Sequence, residues 1–465
     1  MLQRLTNTQL DKLHAATLQV MERSGVRFLD DDALDVFRSA GCRVDGNLVR
    51  FSPDLIERSL DTCPKQLTLC DQEGQARIEL AGRCAYYGNG SDLLFIIDHR
   101  TGERREPVLQ DLRDMMTVLD ALPDIDFVMS GFIPRDVPGE VMQKWQMAVM
   151  LEETSKPIIN VTTDLAEARA AVEMAEIVAG SADALRKRPF VANYINIANP
   201  LRHNPESIQR LMWLSAEGLP FVYRPSAVTR GISTPITWAG SLVVNNAAGL
   251  AGLVLSQLVR EGAPFIRCSC SGGTFDMRTM IGLHPAAELR GHNEDMAEYY
   301  RLPRFGLGAV CGSKTVDQQA AFEAALTLLT ATQSGAQLIH DVGYMDNGAM
   351  GSLEQLVICH EMIGWVKQYM KDIEVNDETL ALDVIDQVVN EDSHFLDTDH
   401  TLRHFREDHY PELIDRGNYD RWLDQGGTTL RDRARAKVDE ILDENRAPRL
   451  PEDTVSQLHA LVGSP

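Results

Sequence analysis

Cys268 and Cys270 flank a single serine. Residues two apart on a strand face the same side, and thiolates are zinc ligands. Cys311 or His340 would complete such a site, although a buried, reduced cysteine is also an ordinary small hydrophobe. His340-Asp341 closes an apolar run, with Tyr344 three residues beyond the aspartate. That strand end would face the barrel mouth, the alternative being a satisfied structural histidine. Arg224 follows the apolar residues 220–223. A guanidinium there suits bidentate capture of a substrate carboxylate, or else a rim ion pair. Tyr86, Tyr87, Tyr194, Tyr223, Trp238 and Tyr344 fall near the ends of strand-like runs. Aromatic faces in such positions stabilise a quaternary ammonium ion by cation–π attraction, or pack in the core.

Other chemistries fail on spacing. Gly308 to Thr315 resembles a Walker loop but has three residues between its glycines and a serine before Lys314. Gly306-Leu307-Gly308 lacks the third glycine of a dinucleotide fingerprint, and His360-Glu361 has no second histidine one turn on. The tail histidines His394, His400, His404 and His409 show no recognised metal-ligand spacing and read as solvated surface. No nucleotide or metal is expected in this chain.

These residues need a frame. From residue 84 to about 370, apolar or β-branched runs alternate with helix-like stretches. The strand candidates are 84–87 (or its rival 93–97), 127–132, 157–161, 190–195, 220–223, 264–268, 306–310 and 337–340. The helices between them are 108–121, 140–153, 166–178, 205–217, 239–260, 286–300, 316–334 and 352–369. Eight βα units predict an α/β fold, a (β/α)8 TIM-type barrel, with an open doubly wound sheet as the alternative. A helical and hairpin preface occupies 1–82, the barrel 83–371 and an acidic helical tail 372–465. In a barrel, function sits on the loops after the strands. Here those loops are rich in Gly, Asn, Ser and Asp, as in Gly88-Asn89-Gly90-Ser91-Asp92 and Asp341-Val342-Gly343-Tyr344.

Composition narrows the partners. With 45 Lys+Arg against 68 Asp+Glu the formal charge is −23, which repels a phosphate backbone and argues against nucleic acid. Hydrophobic residues at 44% and charged residues at 24% describe an ordinary globular chain. Eight cysteines are too sparse for a disulfide framework, so a reducing cytoplasm is expected. The N-terminus has no signal core and no apolar stretch reads as a membrane span.

Three segments carry a resemblance: Asp317-Gln318-Gln319-Ala320, then Gly335 through Tyr344, then Ser352-Leu353-Glu354-Gln355-Leu356-Val357. Together with Phe395-Leu396, His400-Thr401-Leu402, Pro411, Trp422, Arg433-Ala434-Arg435 and Ile441-Leu442, they resemble the trimethylamine methyltransferase superfamily over nearly the whole chain. The resemblance implies a (β/α)8 barrel that moves a methyl group from a methylated amine to the cobalt of a separate corrinoid protein. The founding trimethylamine enzymes carry pyrrolysine in the region that corresponds to 306–317, and here every letter is standard. A quaternary amine such as glycine betaine needs no activating adduct, and members without pyrrolysine demethylate betaines.

The chemistry so implied is an in-line displacement in which Co(I) attacks an N-methyl carbon and a neutral tertiary amine leaves, with no general acid. Positioning and electrostatics are then the protein's task. Tyr87, Asn193, Tyr194, Arg224 and Tyr344 are the expected substrate-binding residues, and His340 the expected catalytic one. The expected partners are the corrinoid protein and a small quaternary amine, with homo-oligomerisation left open. Two alternatives stand beside this expectation: a zinc-dependent barrel enzyme using Cys268, Cys270 and Cys311, and a non-catalytic betaine-binding protein.

Overall fold

Seven short parallel strands form the centre of the computed structural model, which describes residues 3–225, 229–269, 275–282, 291–444 and 449–463. They are β1 (Tyr86–Tyr87), β2 (Ile158–Val161), β3 (Val191–Asn196), β4 (Phe221–Arg224), β5 (Phe265–Cys268), β6 (Arg304–Leu307) and β7 (Leu338–His340). Their order across the sheet is β1-β7-β6-β5-β4-β3-β2, with every pair parallel. A parallel sheet is covered on both faces, which is why its strands read as apolar runs without alternation. In β3, Val191 through Ile195 are all buried.

Helices α1 (Leu109–Ala121), α2 (Met142–Glu153), α3 (Leu165–Ala179), α4 (Pro205–Glu217), α5 (Trp238–Val259), α6 (His292–Tyr299), α7 (Gln318–Gln333) and α8 (Leu353–Met370) supply that cover. Their ends are written locally. Asp164, Asp317 and Ser352 each accept a backbone N–H at the start of α3, α7 and α8, and left-handed Gly180 and Gly218 end α3 and α4. Gly252 lets α5 lie against the sheet, since a Cβ there would come within 2.2 Å of the Tyr223 ring.

Two expected strands are corrected. The run 127–132 forms no strand; Phe127 and Val128 make single parallel bridges, to Gly88 and Ile158 respectively. The buried Asn89 amide substitutes for a ladder here, donating to Met129 O at 2.8 Å and accepting from Met129 N at 2.8 Å. The strand expected at 306–310 begins two residues earlier, because Arg304 is buried within it. Its guanidinium is satisfied by Gly335 O at 2.8 Å, Gly82 O at 2.9 Å and the Glu298 carboxylate. The rival 93–97 also survives in part, as Phe95–Ile97 in a separate small sheet with Met350–Ser352.

The preface is less helical than expected. Its helices Asn7–Gln19, Asp31–Ser39 and Pro53–Thr62 and the hairpin Leu67–Cys70/Ala76–Leu80 are joined by three strands that escaped the sequence reading. Of these, Val26–Phe28 pairs in parallel with Arg202–His203, sealing the preface to the loop after β3. Phe28 packs on Phe37 and His203 with ring centroids 4.6 and 4.5 Å apart. Complete enclosure drives the His203 imidazole down to about 3, so it stays neutral.

The tail returns to the sheet's helices. Helix α9 (Asp377–Leu380) and α10 (Asp399–His404) lie on an exposed segment, whereas α11 (Leu430–Asp443) docks on α8. There the fully buried Glu354 carboxylate meets Arg431 at 3.2 Å and Arg435 at 3.5 Å. Helix α5 is long and apolar enough to cross a membrane by length and composition alone. It is a core helix, with 78% of its most apolar window buried inside the protein. Its Asn245 and Asn246 are buried and bonded to Asn293 at 2.9 Å and Tyr300 at 2.7 Å.

Candidate active site

A cavity of about 200 Å³ opens at the carboxyl ends of the parallel strands. It is smaller than the roughly 300–1,000 Å³ typical of drug-sized ligands, so it suits a small molecule. Its wall comes from strand ends and the loops that follow them: Tyr194 and Asn196 of β3, Arg224 of β4, His340 of β7, and Asp92, Asp341 and Tyr344 from the loops. Four of the six expected site residues, Tyr194, Arg224, His340 and Tyr344, are thereby brought together.

Tyr87 and Asn193 do not line this cavity. The Tyr87 hydroxyl meets Thr332 Oγ1 of α7 at 3.1 Å, and Lys367 of α8 lies 5.4 Å from its ring, so this side chain faces the helices. Side chains alternate along a strand, and with Tyr194 turned into the cavity Asn193 faces outward, in register with Phe221 of β4. The remaining sequence candidates also divide. Cys268 and Cys311 are both fully buried, and burial pushes the Cys311 thiol up to about 12. Cys270 lies outside the described residues.

Asp92 and Asp341 stand in loops that the sequence singles out but were not among the six expected site residues. Both adopt left-handed backbone, with φ of 65° and 76°, a conformation a sequence does not announce in aspartate. Asp92 keeps an exposed edge at the mouth, but crowding by protein and the Asp341 carboxylate push its carboxyl upward, against the pull of Ser91 and Arg224. Gly90 allows this convergence. A Cβ on it would stand 2.1 Å from Asp341 Oδ1 and 2.6 Å from Tyr344 Cζ.

Two side chains are held rigidly. His340 Nδ1 donates to Gly306 O at 2.6 Å, which leaves Nε2 directed toward Asp341 Oδ1 at 3.5 Å. The His340 ring also lies 4.3 Å from that of Phe305. Tyr344 donates to Ser91 O at 2.6 Å, and burial together with Asp341 and Asp92 lifts its hydroxyl well above the ordinary phenol range. It is therefore a neutral ring with its proton committed. Chemically the cavity offers an acidic, aromatic side and one guanidinium.

This is an α/β protein with a small cavity at the carboxyl ends of its parallel strands. Residues 1–464 match the family described as trimethylamine methyltransferase (MTTB), and the chain belongs to that family. It is 30% identical to a trimethylamine methyltransferase of Desulfitobacterium hafniense, covering 98% of this chain and 92% of that one. It is 29% identical to a glycine betaine methyltransferase of the same species, covering 98% and 96%. A trimethylamine methyltransferase of Methanosarcina thermophila is 28% identical over 98% of this chain and 96% of its own. Among solved structures, a dihydropteroate synthase from Coxiella burnetii aligns with a TM-score of 0.38 and 12% identity, covering 65% of this chain and 98% of that one.

Proposed function

We propose that this chain is a cytoplasmic methyltransferase that removes a methyl group from a quaternary amine bearing a carboxylate, glycine betaine being the simplest, and delivers it to a corrinoid protein. One observation carries the proposal: two carboxylates and two tyrosine rings share a single small cavity with one arginine. That is the complement of a zwitterion whose charges are a few bonds apart. Relatedness to a glycine betaine methyltransferase and the ordinary residues throughout 306–317 support it.

Tyr194 and Tyr344 would hold the ammonium by their faces, with Asp92 and Asp341 adding charge, while Arg224 anchors the carboxylate. His340, fixed by Gly306 O, would set the orientation of the bound amine. A corrinoid on the partner would supply a strongly nucleophilic Co(I) as methyl acceptor. The cavity is far too small for a corrin ring, so substrate and acceptor would have to meet at the mouth, where Asp92, Asn347 and Gly348 stay accessible. The amine would depart neutral, so no residue has to move a proton. We also take the bridges at Phe127 and Val128 to close the sheet into a (β/α)8 barrel spanning 83–371.

The test is a methyl-transfer assay with cob(I)alamin against glycine betaine, proline betaine, carnitine, choline and trimethylamine. Methylcobalamin should form fastest from a betaine and negligibly from trimethylamine. A trimethylamine rate equal to the best betaine rate would overturn the proposal.

A pH dependence follows from Asp92. A cation binds the ionised carboxylate, so affinity is full above the raised value and declines as pH falls through it. Calorimetry with glycine betaine should show that decline above the usual carboxylate value of about 3.9. Asp92→Asn should bind more weakly and lose this dependence; a variant with the same pH profile as the wild type would contradict the assignment.

A further inference from the structure

The sequence reads the tail histidines as solvated surface, but folding brings a third ligand, Glu378, to two of them. Helix α10 sets His400 and His404 one turn apart, with ring centroids at 4.4 Å. Helix α9 brings Glu378 across from them, so that one potential ligand atom from each of the three lies within 4.8 Å of the others. Among the described residues this is the group of His, Cys, Asp and Glu side chains assembled closely enough to share a metal ion.

We propose that Glu378, His400 and His404 form a divalent transition-metal site, best matched to zinc, that clips α9 to α10 at a distance in sequence from the methyl-transfer residues. Two imidazoles and one carboxylate are a borderline-soft donor set, suited to zinc and too poor in oxygen for calcium or magnesium. Support for the ligands is also present. Glu407 Oε1 accepts from His404 Nδ1 at 2.6 Å, and Nε2 donates across to Glu378 Oε1 at 3.4 Å, so that a metal ion binding between them would replace the Nε2 proton. A carboxylate behind a ligating histidine is the usual outer partner of a metal site. Arg403 competes for the same carboxylate, but its 2.7 Å contact and that of His404 both fall on Glu378 Oε1. His400 Nε2 lies 3.2 Å from Glu378 O, which keeps that ring beside the same turn.

The surroundings give such a clip a purpose. Leu382, Val389, Leu396, Leu402 and Phe405 are all more than half exposed, so apolar burial contributes little to holding this segment together. A metal cross-link is the alternative means of ordering a segment with a thin core. Three protein ligands would leave one position to water.

The experiment is calorimetric titration of the full-length, EDTA-treated protein with ZnCl2, using CaCl2 and MgCl2 as controls. One zinc should bind per chain with a Kd in the micromolar range or below, calcium and magnesium should not compete, and the melting temperature should rise with zinc. The His400→Ala/His404→Ala double variant should lose at least about 100-fold in affinity, and Glu407→Gln about 10–100-fold. In EDTA both variants should melt with the wild type, because the changed side chains lie at the surface. Cobalt substitution gives an independent readout: weak visible d–d bands without thiolate charge transfer. Zinc retained by the double variant, a thiolate band with cobalt, or no binding below about 100 μM would each overturn the proposal.

Discussion

Gly90→Ala should abolish most methyl transfer, lowering kcat/KM by about 100-fold or more while the protein remains folded. The added Cβ would stand 2.1 Å from Asp341 Oδ1, 2.6 Å from Tyr344 Cζ and 2.8 Å from the Tyr344 hydroxyl oxygen. Neither neighbour yields easily. Tyr344 is 3% exposed and tied to Ser91 O, and Asp341 already occupies left-handed backbone beside it. The new methyl must therefore displace the acidic and aromatic side of the cavity, the side proposed to hold the ammonium. Overpacking of this kind costs about 1–3 kcal/mol, which lowers the melting temperature but does not unfold a domain of this size. The measurement is steady-state methylation of cob(I)alamin beside a thermal melt. Wild-type kinetics in this variant would remove Asp341 and Tyr344 from the site, whatever the melt shows.

Much of this frame was legible because it follows from periodicity and punctuation. Helix α4 runs from Pro205 to Glu217, the limits its leading proline and following Gly218 dictate. Arg224 and His340 were accessible for a related reason: each ends a short apolar strand, and strand ends in a parallel α/β fold line the mouth. Tyr87 and Asn193 fall away from the cavity because composition marks a strand without saying which face a residue takes; one position's shift reverses it. The β6 register was hidden by Arg304, a buried cation that reads as a loop boundary until its carbonyl and carboxylate partners are seen. Asn89 hid the fate of 127–132, since a side-chain amide standing in for a strand leaves no periodic trace. The pairing of Asp92 with Asp341 depends on two loops far apart in sequence, and that of Glu378 with His404 on two separate helices folding together. Only the fold creates them.

Arg224→Ala should weaken glycine betaine by about 2–3 kcal/mol, since a charge-assisted pair in a partly dry cavity is lost. The same change should leave the binding of a quaternary ammonium without a carboxylate, such as choline, within about threefold, well under 1 kcal/mol. That contrast separates anchoring from general damage, because a collapsed cavity would weaken both ligands together. One coupling has to be controlled. Arg224 pulls the Asp92 carboxyl downward, so its removal lets that carboxyl rise further and favours the neutral form. As pH falls into the carboxylate range the variant would then lose cation affinity through Asp92 as well as carboxylate affinity directly, and choline would report the first loss alone. At about pH 8, well above the ordinary carboxylate range, Asp92 remains ionised and the choline term should vanish. Arg224→Lys should recover part of the betaine affinity, because a point charge remains although the bidentate fork is gone. Betaine affinity unchanged at pH ~8 in Arg224→Ala would instead make this arginine an electrostatic partner of Asp92 and Asp341, with the substrate carboxylate held elsewhere.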